Sequence, residues 1–205
     1  MKVKICGLST AEQVQTSIKY GADFCGFILN YPKSHRFIEF EKAKELTKIE
    51  KKNTKYVAVL VSPNEDELEK FSKLNIDYFQ IYGNYNSNLI SNIKSKFNKK
   101  IIAAIQVQNK KDVLNYKQFQ DVADIILWDS SGLEYSLDWN FNWIHSVPNN
   151  ITKMIAGNIN IDKLKKILKL ADIVDVSGAL ETNKVKDIFK IKNFLSNLNK
   201  INNEN

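Results

Sequence analysis

The chain has 205 residues, a net charge of +7 and 43% hydrophobic residues, enough to bury one sizeable core in a single domain. No apolar run approaches the roughly 18 residues of a membrane span, and the first strand follows directly after Met1. We therefore expect a cytoplasmic protein that does not bind a membrane. The two His and two Cys are too few for a zinc site or a Ser-His-Asp triad, so we expect no metal.

The basic residues are nearly all Lys, and they are dispersed among acidic residues over the predicted helices. A nucleic-acid surface usually concentrates such charge and interleaves it with aromatic residues or Arg, so we expect no nucleic-acid partner. A positive field remains compatible with a small anionic substrate.

Short apolar runs alternate with amphipathic helical segments along the whole chain. The predicted strands are residues 3–7, 24–29, 56–61, 78–82, 101–107, 124–129, 154–157 and 173–177. The predicted helices are residues 9–21, 43–49, 64–74, 87–97, a short helix after 107, 141–145, 161–170 and 186–198. Eight such units predict one domain over residues 1–205, a closed parallel (β/α)8 TIM barrel, with the last few residues disordered.

The alternative fold is an open doubly wound sheet, which usually has fewer strands and a glycine-rich first turn. No G-x-G-x-x-G follows Cys6, which favours the barrel. In a barrel the active site lies at the carboxyl ends of the strands.

The first strand ends in a thiol, Cys6, followed by Gly7. Because strand residues alternate sides, Lys4 and Cys6 share one face. A neighbouring ammonium favours the thiolate, the form of cysteine that acts as a base. We therefore interpret Cys6 as one half of an acid/base pair; the alternative is a small buried hydrophobic residue.

Two carboxylates end or interrupt apolar strands. Asp129 follows four apolar residues, and burial there would keep it protonated, as a general acid must be; the alternative is a cap for the turn through Ser130 and Ser131. Asp175 lies in mid-strand, and a charge inside a barrel needs a partner. Barrel closure makes Lys4 its neighbour, so we predict a Lys4–Asp175 pair close enough to tune Cys6.

Anion recognition is indicated at two places. Arg36 is the only arginine in the chain, and a planar guanidinium grips a carboxylate in a fixed orientation as Lys does not. Gly157 follows the seventh strand, and Ser177, Gly178 and Ala179 follow the eighth, the two loops that most often hold phosphate in such barrels. Ordinary strand-to-helix turns also favour Gly and Ser.

Taken together, these segments resemble the phosphoribosylanthranilate isomerase family over nearly the full chain. The segments that carry the resemblance are Lys4-Ile5-Cys6-Gly7, Gly21-Ala22-Asp23 into Gly26-Phe27, Tyr31-Pro32-Lys33-Ser34-His35-Arg36, Gln80-Ile81-Tyr82-Gly83, Asp129-Ser130 before Asp138-Trp139, Ala156-Gly157-Asn158 and Asp175-Val176-Ser177 to Glu181. The family fold is a (β/α)8 barrel. The resemblance implies an Amadori rearrangement of N-(5-phosphoribosyl)anthranilate, an aldose–ketose isomerisation in tryptophan biosynthesis, without a cofactor or metal.

Carried over by position, the resemblance makes Cys6 the general base and Asp129 the general acid. Arg36 is implied to hold the anthranilate carboxylate, with Tyr82 and Asp175 as further substrate-binding residues. The implied phosphate-binding residues are Gly157, Asn158, Ser177, Gly178 and Ala179. The implied partner is this small phosphosugar–anthranilate substrate, bound by a monomer or a homodimer.

The sequence departs from the family pattern at several points. The usual glycine-rich segment before Asp138-Trp139 is replaced by a shorter run, Glu134 to Leu137, which we expect to cover the ligand less completely. Asn158 stands where the family usually has a second glycine. Tyr82 stands where the family usually has a histidine, and a tyrosine cannot take up a proton near neutral pH. The alternatives are another phosphosugar barrel, such as a pentose-phosphate epimerase, and a catalytically idle barrel that keeps its pocket.

Overall fold

The structure is a computed structural model that describes residues 1–130 and 138–204. Its core is a closed barrel of eight parallel strands in chain order. The strands are β1 (Lys2–Cys6), β2 (Phe24–Ile28), β3 (Lys55–Val61), β4 (Tyr78–Tyr82), β5 (Lys100–Val107), β6 (Ile125–Ser130), β7 (Lys153–Ile155) and β8 (Ile173–Val176). The predicted barrel is confirmed, and its closure pairs β1 with β8.

Helices follow most of the strands and cover the outside of the barrel. The α-helices are α1 (Ala11–Lys19), α2 (Phe40–Leu46), α3 (Glu65–Ser72), α4 (Ser87–Phe97), α5 (Ile161–Ile167) and α6 (Ile188–Asn203). After β5 and β6 the connections are 3-10 helices, Lys110–Gln118 and Phe141–Ser146. The first of these contains one each of Asp, Val, Asn and Tyr, which are weaker α-helix formers than its Lys, Leu and Gln residues. In the described part of the chain, no helix is both long enough and apolar enough to cross a bilayer.

Two apolar layers fill the protein. A large outer core lies between the barrel and the helices and includes Ile5, Phe27 and Trp128, all fully buried. A smaller inner core fills the barrel itself with side chains from alternate strand positions, among them Val57, Leu127 and Met154. The predicted alternation is confirmed in β1, where Ile5 belongs to the outer core and Cys6 to the inner one.

The end of the chain differs from the sequence prediction. A two-stranded antiparallel hairpin, β9 (Glu181–Thr182) and β10 (Val185–Lys186), precedes the last helix. Its turn residues, Asn183 and Lys184, both have positive φ, the backbone of a tight hairpin turn. Helix α6 therefore begins at Ile188, capped by the Asp187 side chain, rather than at residue 186. The predicted disorder of the last few residues stays a prediction.

Candidate active site

A pocket opens at the carboxyl ends of the strands and encloses about 750 Å³, its open mouth included. The ten site residues named from the sequence all line it: Cys6, Arg36, Tyr82, Asp129, Gly157, Asn158, Asp175, Ser177, Gly178 and Ala179. The fold thus brings together residues from four strands, β1, β4, β6 and β8, and from the loops after β2, β7 and β8. The predicted cover, Glu134 to Leu137, and the predicted turn residue Ser131 lie outside the described residues.

Cys6 lies on the inner face of β1, beside the ammonium of Lys4. In the barrel ladder Cys6 is opposite Gly26 of β2. A Cβ at Gly26 would lie 3.1 Å from the Cys6 Sγ and 3.0 Å from the Lys4 Cε, so the missing side chain makes room for both groups. Burial raises the pKa of the Cys6 thiol above its ordinary value, while the charge of Lys4 lowers it and that of Asp175 raises it.

Asp129 lies at the end of β6 and reaches the same pocket. Its Oδ2 accepts a hydrogen bond of 2.8 Å from the Tyr82 hydroxyl, and its Oδ1 accepts one of 2.7 Å from the Ser130 backbone N–H. One Asp129 oxygen thus accepts from the backbone N–H of the next residue and the side chain lines the pocket, while its role as the general acid stays a prediction. Burial raises the pKa of Asp129 to about 6, against the lowering effect of the Tyr82 hydrogen bond.

The predicted Lys4–Asp175 pair is confirmed, with the Lys4 Nζ 2.8 Å from the Asp175 Oδ2. Burial alone would lower the pKa of Lys4, but the negative charges of Asp175 and Cys6 and the hydrogen bonds to both raise it overall. Lys4 is therefore a permanent cation beneath the thiol. The other carboxylate oxygen, Asp175 Oδ1, is buried and has no hydrogen-bond partner among the described residues.

Tyr82 links the floor of the barrel to Asp129. Its hydroxyl accepts a hydrogen bond of 3.1 Å from the fully buried Gln80 Nε2 and donates to Asp129. Burial raises the pKa of Tyr82 well above its ordinary value, so its proton stays on the phenol. Tyr82 is therefore a hydrogen-bond donor that stays neutral.

Arg36 reaches the pocket from the loop after β2. Gly7, at φ +78°, leaves the space in which the Arg36 side chain lies, because a Cβ there would come within 2.6 Å of the Arg36 Cδ. The guanidinium is already bound to Glu181, which accepts from its Nε at 2.5 Å and from its Nη2 at 3.0 Å. Glu181 and its neighbour Lys186 had no role in the sequence interpretation.

The loop after β7 is held from behind by two side chains. The Trp139 Nε1 donates to the Ala156 carbonyl at 2.8 Å, and the Lys163 Nζ donates to the Asn158 carbonyl at 2.8 Å. The Asn158 amide donates to Asp138, at 3.2 Å. Gly157 and Asn158 both have positive φ. The Asn158 amide nitrogen is thus already bound to Asp138, while Gly157 and Asn158 both line the pocket.

The hydroxyl of Ser177 is also engaged within the protein. It donates to the Cys6 carbonyl at 3.1 Å and accepts from the Lys186 Nζ at 3.2 Å. Within the described residues, no group accepts a hydrogen bond from the backbone N–H of Gly157, Asn158, Gly178 or Ala179. All four residues line the pocket, and backbone N–H groups without a partner can bind an anion.

Two residues of the site were missed from the sequence. Lys186 is one of many lysines, and nothing in the sequence distinguishes it from its exposed neighbours. Glu181 was assigned to the correct loop without a partner. Only the hairpin brings the two together, since Glu181 of β9 lies directly opposite Lys186 of β10.

Comparison with known proteins points to one family. The family model for N-(5'-phosphoribosyl)anthranilate (PRA) isomerase matches residues 3–197. An N-(5'-phosphoribosyl)anthranilate isomerase of Streptococcus mutans is 35% identical over 204 residues, covering 97% of this chain and 99% of that protein. One of Thermoanaerobacter pseudethanolicus is 33% identical over 201 residues, covering 95% and 96%.

Solved structures agree with this. The phosphoribosyl anthranilate isomerase of Thermotoga maritima superposes with a TM-score of 0.87 at 26% identity, covering 98% of this chain and 99% of that one. A phosphoribosyl anthranilate isomerase in complex with reduced 1-(o-carboxyphenylamino)-1-deoxyribulose 5-phosphate has a TM-score of 0.85 at 25% identity, with the same coverage. A third structure is of monomers of the dimeric Thermotoga maritima protein, with a TM-score of 0.85 at 25% identity, again covering 98% and 99%.

Proposed function

The chain belongs to the N-(5'-phosphoribosyl)anthranilate isomerase family, and on that premise we propose that Cys6 and Asp129 are the base and acid of its reaction. The reaction converts N-(5-phosphoribosyl)anthranilate to 1-(2-carboxyphenylamino)-1-deoxyribulose 5-phosphate in tryptophan biosynthesis. The observation that carries the proposal is that one pocket holds a thiol on β1 and a carboxyl on β6, three strands apart around the barrel.

The reaction needs one proton given and one taken. Protonated Asp129 gives its proton to the furanose ring oxygen, the bond from that oxygen to C1 breaks, and the anthranilate nitrogen forms a protonated Schiff base with C1. The Cys6 thiolate then removes the proton from C2, which gives an enaminol. The enaminol becomes the ketone as C1 gains a proton and the C2 hydroxyl loses one. A proton passing from Cys6 to Asp129 through solvent restores the starting state.

The surrounding residues supply binding and charge. Lys4 stabilises the thiolate of Cys6, and Asp175 keeps Lys4 in place. The four unengaged N–H groups of Gly157, Asn158, Gly178 and Ala179 support a phosphate site between the loops after β7 and β8. Ser177 supports that site by holding its loop to β1 rather than by a hydroxyl free to bind.

We assign the anthranilate carboxylate to Arg36, the only arginine of the chain. Tyr82 donates a hydrogen bond to Asp129, and Asp175, which also lines the pocket, binds a sugar hydroxyl. We also propose that the reaction needs no cofactor or metal, because the two side chains supply both proton transfers. The protein acts in the cytoplasm. It works as a monomer or a homodimer, because one chain contributes all ten site residues.

The decisive experiment follows the loss of substrate fluorescence with purified wild type, Cys6→Ala and Asp129→Asn. Each variant should lose about a hundredfold or more of kcat/KM while keeping its thermal unfolding midpoint close to wild type. Matched controls are Cys25→Ala, a buried thiol outside the pocket, and Asp121→Asn, an exposed carboxylate, which should stay active. Wild type that neither isomerises the substrate nor rescues an isomerase-deficient auxotroph contradicts the function itself.

A further inference from the structure

The guanidinium of Arg36 is held from behind by a carboxylate that does not line the pocket. Arg36 lines the pocket, whereas Glu181 does not. Glu181 accepts the Arg36 Nε and Nη2 hydrogen bonds side-on, in a bidentate pair. Both side chains are largely buried, with 12% of Arg36 and 8% of Glu181 exposed. A two-point contact of this kind fixes both the position and the plane of a guanidinium.

The geometry of the guanidinium decides what remains for a ligand. Its five N–H donors lie in one plane in a fixed fork. Glu181 takes the Nε–H and one Nη2–H, which leaves the second Nη2–H and both Nη1–H donors. Within the described part of the chain, no group accepts a hydrogen bond from the Arg36 Nη1. The remaining end-on pair matches the two oxygens of one carboxylate.

Glu181 is itself held by the hairpin described above. Its register places Lys186 directly across from Glu181, and the Lys186 Nζ bonds to the Glu181 Oε1. The Lys186 side chain is 1% exposed, and its Nζ also reaches Ser177. The His35 Nε2 lies 3.1 Å from the Glu181 Oε2. Burial by itself raises the pKa of the Glu181 carboxyl, but the contacts with Arg36 and Lys186 outweigh burial and bring the pKa down to about 2. Glu181 therefore stays anionic.

We propose that Glu181 is a positioning residue, which turns the end-on edge of Arg36 toward the pocket so that it grips the carboxylate of the substrate's aromatic ring. The inference rests on the proposed function, because it takes Arg36 as the carboxylate-binding residue. Glu181 acts only through Arg36, and Lys186 and the hairpin set the place of Glu181.

Charge and orientation predict opposite results when Glu181 is neutralised. Arg36, Glu181 and Lys186 together carry one net positive charge. Removal of the Glu181 charge adds to that positive field, which by itself attracts a carboxylate more strongly. Loss of the two hydrogen bonds from Arg36 to Glu181 frees the guanidinium to rotate, which weakens binding of the carboxylate. Weaker binding by the Glu181 variant therefore indicates that Glu181 orients Arg36, and tighter binding indicates that Glu181 only balances its charge.

The test measures binding by calorimetry, so that it does not depend on turnover. Two ligands are compared: reduced 1-(o-carboxyphenylamino)-1-deoxyribulose 5-phosphate and the phenylamino compound that lacks the carboxyl. For Glu181→Gln, we expect the Kd of the first ligand to rise by roughly tenfold to a hundredfold, the range of a charge-assisted hydrogen bond. The Kd of the second ligand should not change. Glu45→Gln, at an exposed position on α2, is the matched control and should change neither.

A double-variant cycle completes the test. Arg36→Met should remove the preference for the carboxyl-bearing ligand, and Glu181→Gln should add no further loss in the Arg36→Met background. Equal weakening of both ligands by Glu181→Gln, or tighter binding of the first, overturns the positioning role. The proposed function fails separately, by absence of isomerase activity in the wild type or by an Arg36→Met variant that keeps the carboxyl preference.

Discussion

Lys4 and Asp175 form an ion pair inside the barrel, one inner layer below Cys6, with Nζ and Oδ2 2.8 Å apart. The Lys4 side chain is 0% exposed and that of Asp175 5% exposed, so neither charge is solvated by bulk water. The pair joins β1 to β8 at the seam where the barrel closes. The charge next to the thiol is therefore built into the closure of the fold, and stability and chemistry depend on the same two residues.

Removal of one member of this pair should destabilise the protein strongly. Lys4→Met leaves the Asp175 carboxylate buried without a counter-charge, and we expect a loss of about 3–5 kcal/mol in the free energy of unfolding. Urea unfolding followed by circular dichroism measures this. The double variant Lys4→Met/Asp175→Leu should recover much of the loss because no buried charge remains. A double variant no more stable than the single one would argue against the pair as the source.

Lys4 should also set the ionisation of Cys6. Its charge lowers the pKa of a thiol that burial raises, so Lys4→Met should raise that pKa further. The measurement is the pH dependence of iodoacetamide alkylation in a Cys25→Ala background, where Cys6 alone reacts. The rate midpoint of the Lys4→Met protein should lie at higher pH. An unchanged midpoint would show that the ammonium does not act on the sulfur.

Tyr82 should control the acid limb of the pH–rate profile. Asp129, the acid, has a pKa of about 6, below that of the Cys6 base. The reactive form of the enzyme has Asp129 protonated and Cys6 ionised. Between the two pKa values this form is therefore a small fraction of the enzyme, and that fraction does not change with pH. Below pH 6 this form declines as Cys6 takes up its proton, and kcat/KM falls. The acid limb of the profile thus lies at the pKa of Asp129, even though Asp129 is the group that gives its proton in the reaction.

Tyr82→Phe removes a hydrogen bond that lowers the pKa of Asp129, so this limb should move to higher pH. The profile of kcat/KM from pH 5 to 9 measures the shift. Tyr78→Phe is the matched control, because Tyr78 projects into the same inner core from the same strand, away from Asp129. A limb that stays in place, or moves to lower pH, contradicts a direct Tyr82–Asp129 coupling.

Gly26→Ala should impair turnover more than folding. The added methyl group would lie 3.0 to 3.1 Å from the ends of the Lys4 and Cys6 side chains, tighter than ordinary contact. We expect these flexible side chains to shift, with kcat falling about tenfold or more and KM changing less, because a displaced base loses its alignment with C2. Steady-state kinetics and thermal unfolding together measure both effects. A variant with wild-type kcat would show that the packing at Gly26 does not align the base.

The sequence alone was sufficient for the barrel, the inner face of β1 and the Lys4–Asp175 pair. Alternation of apolar runs and helices is a local pattern, and the two-residue period of a strand places side chains without reference to distant contacts. Closure of eight strands then makes β1 and β8 neighbours. Cys6 and Asp129 could be named because each ends an apolar strand with a reactive group.

Tertiary structure alone decided how the site residues are held. Arg36 could be named as the lone arginine, but its attachment to Glu181 joins loops 145 positions apart along the chain. Lys186 is indistinguishable in sequence from the exposed lysines, and it is buried only because a hairpin with a tight turn at Asn183 and Lys184 folds it inward. Such contacts arise from the packing of separate segments against one another, and short-range sequence periodicity carries no record of them.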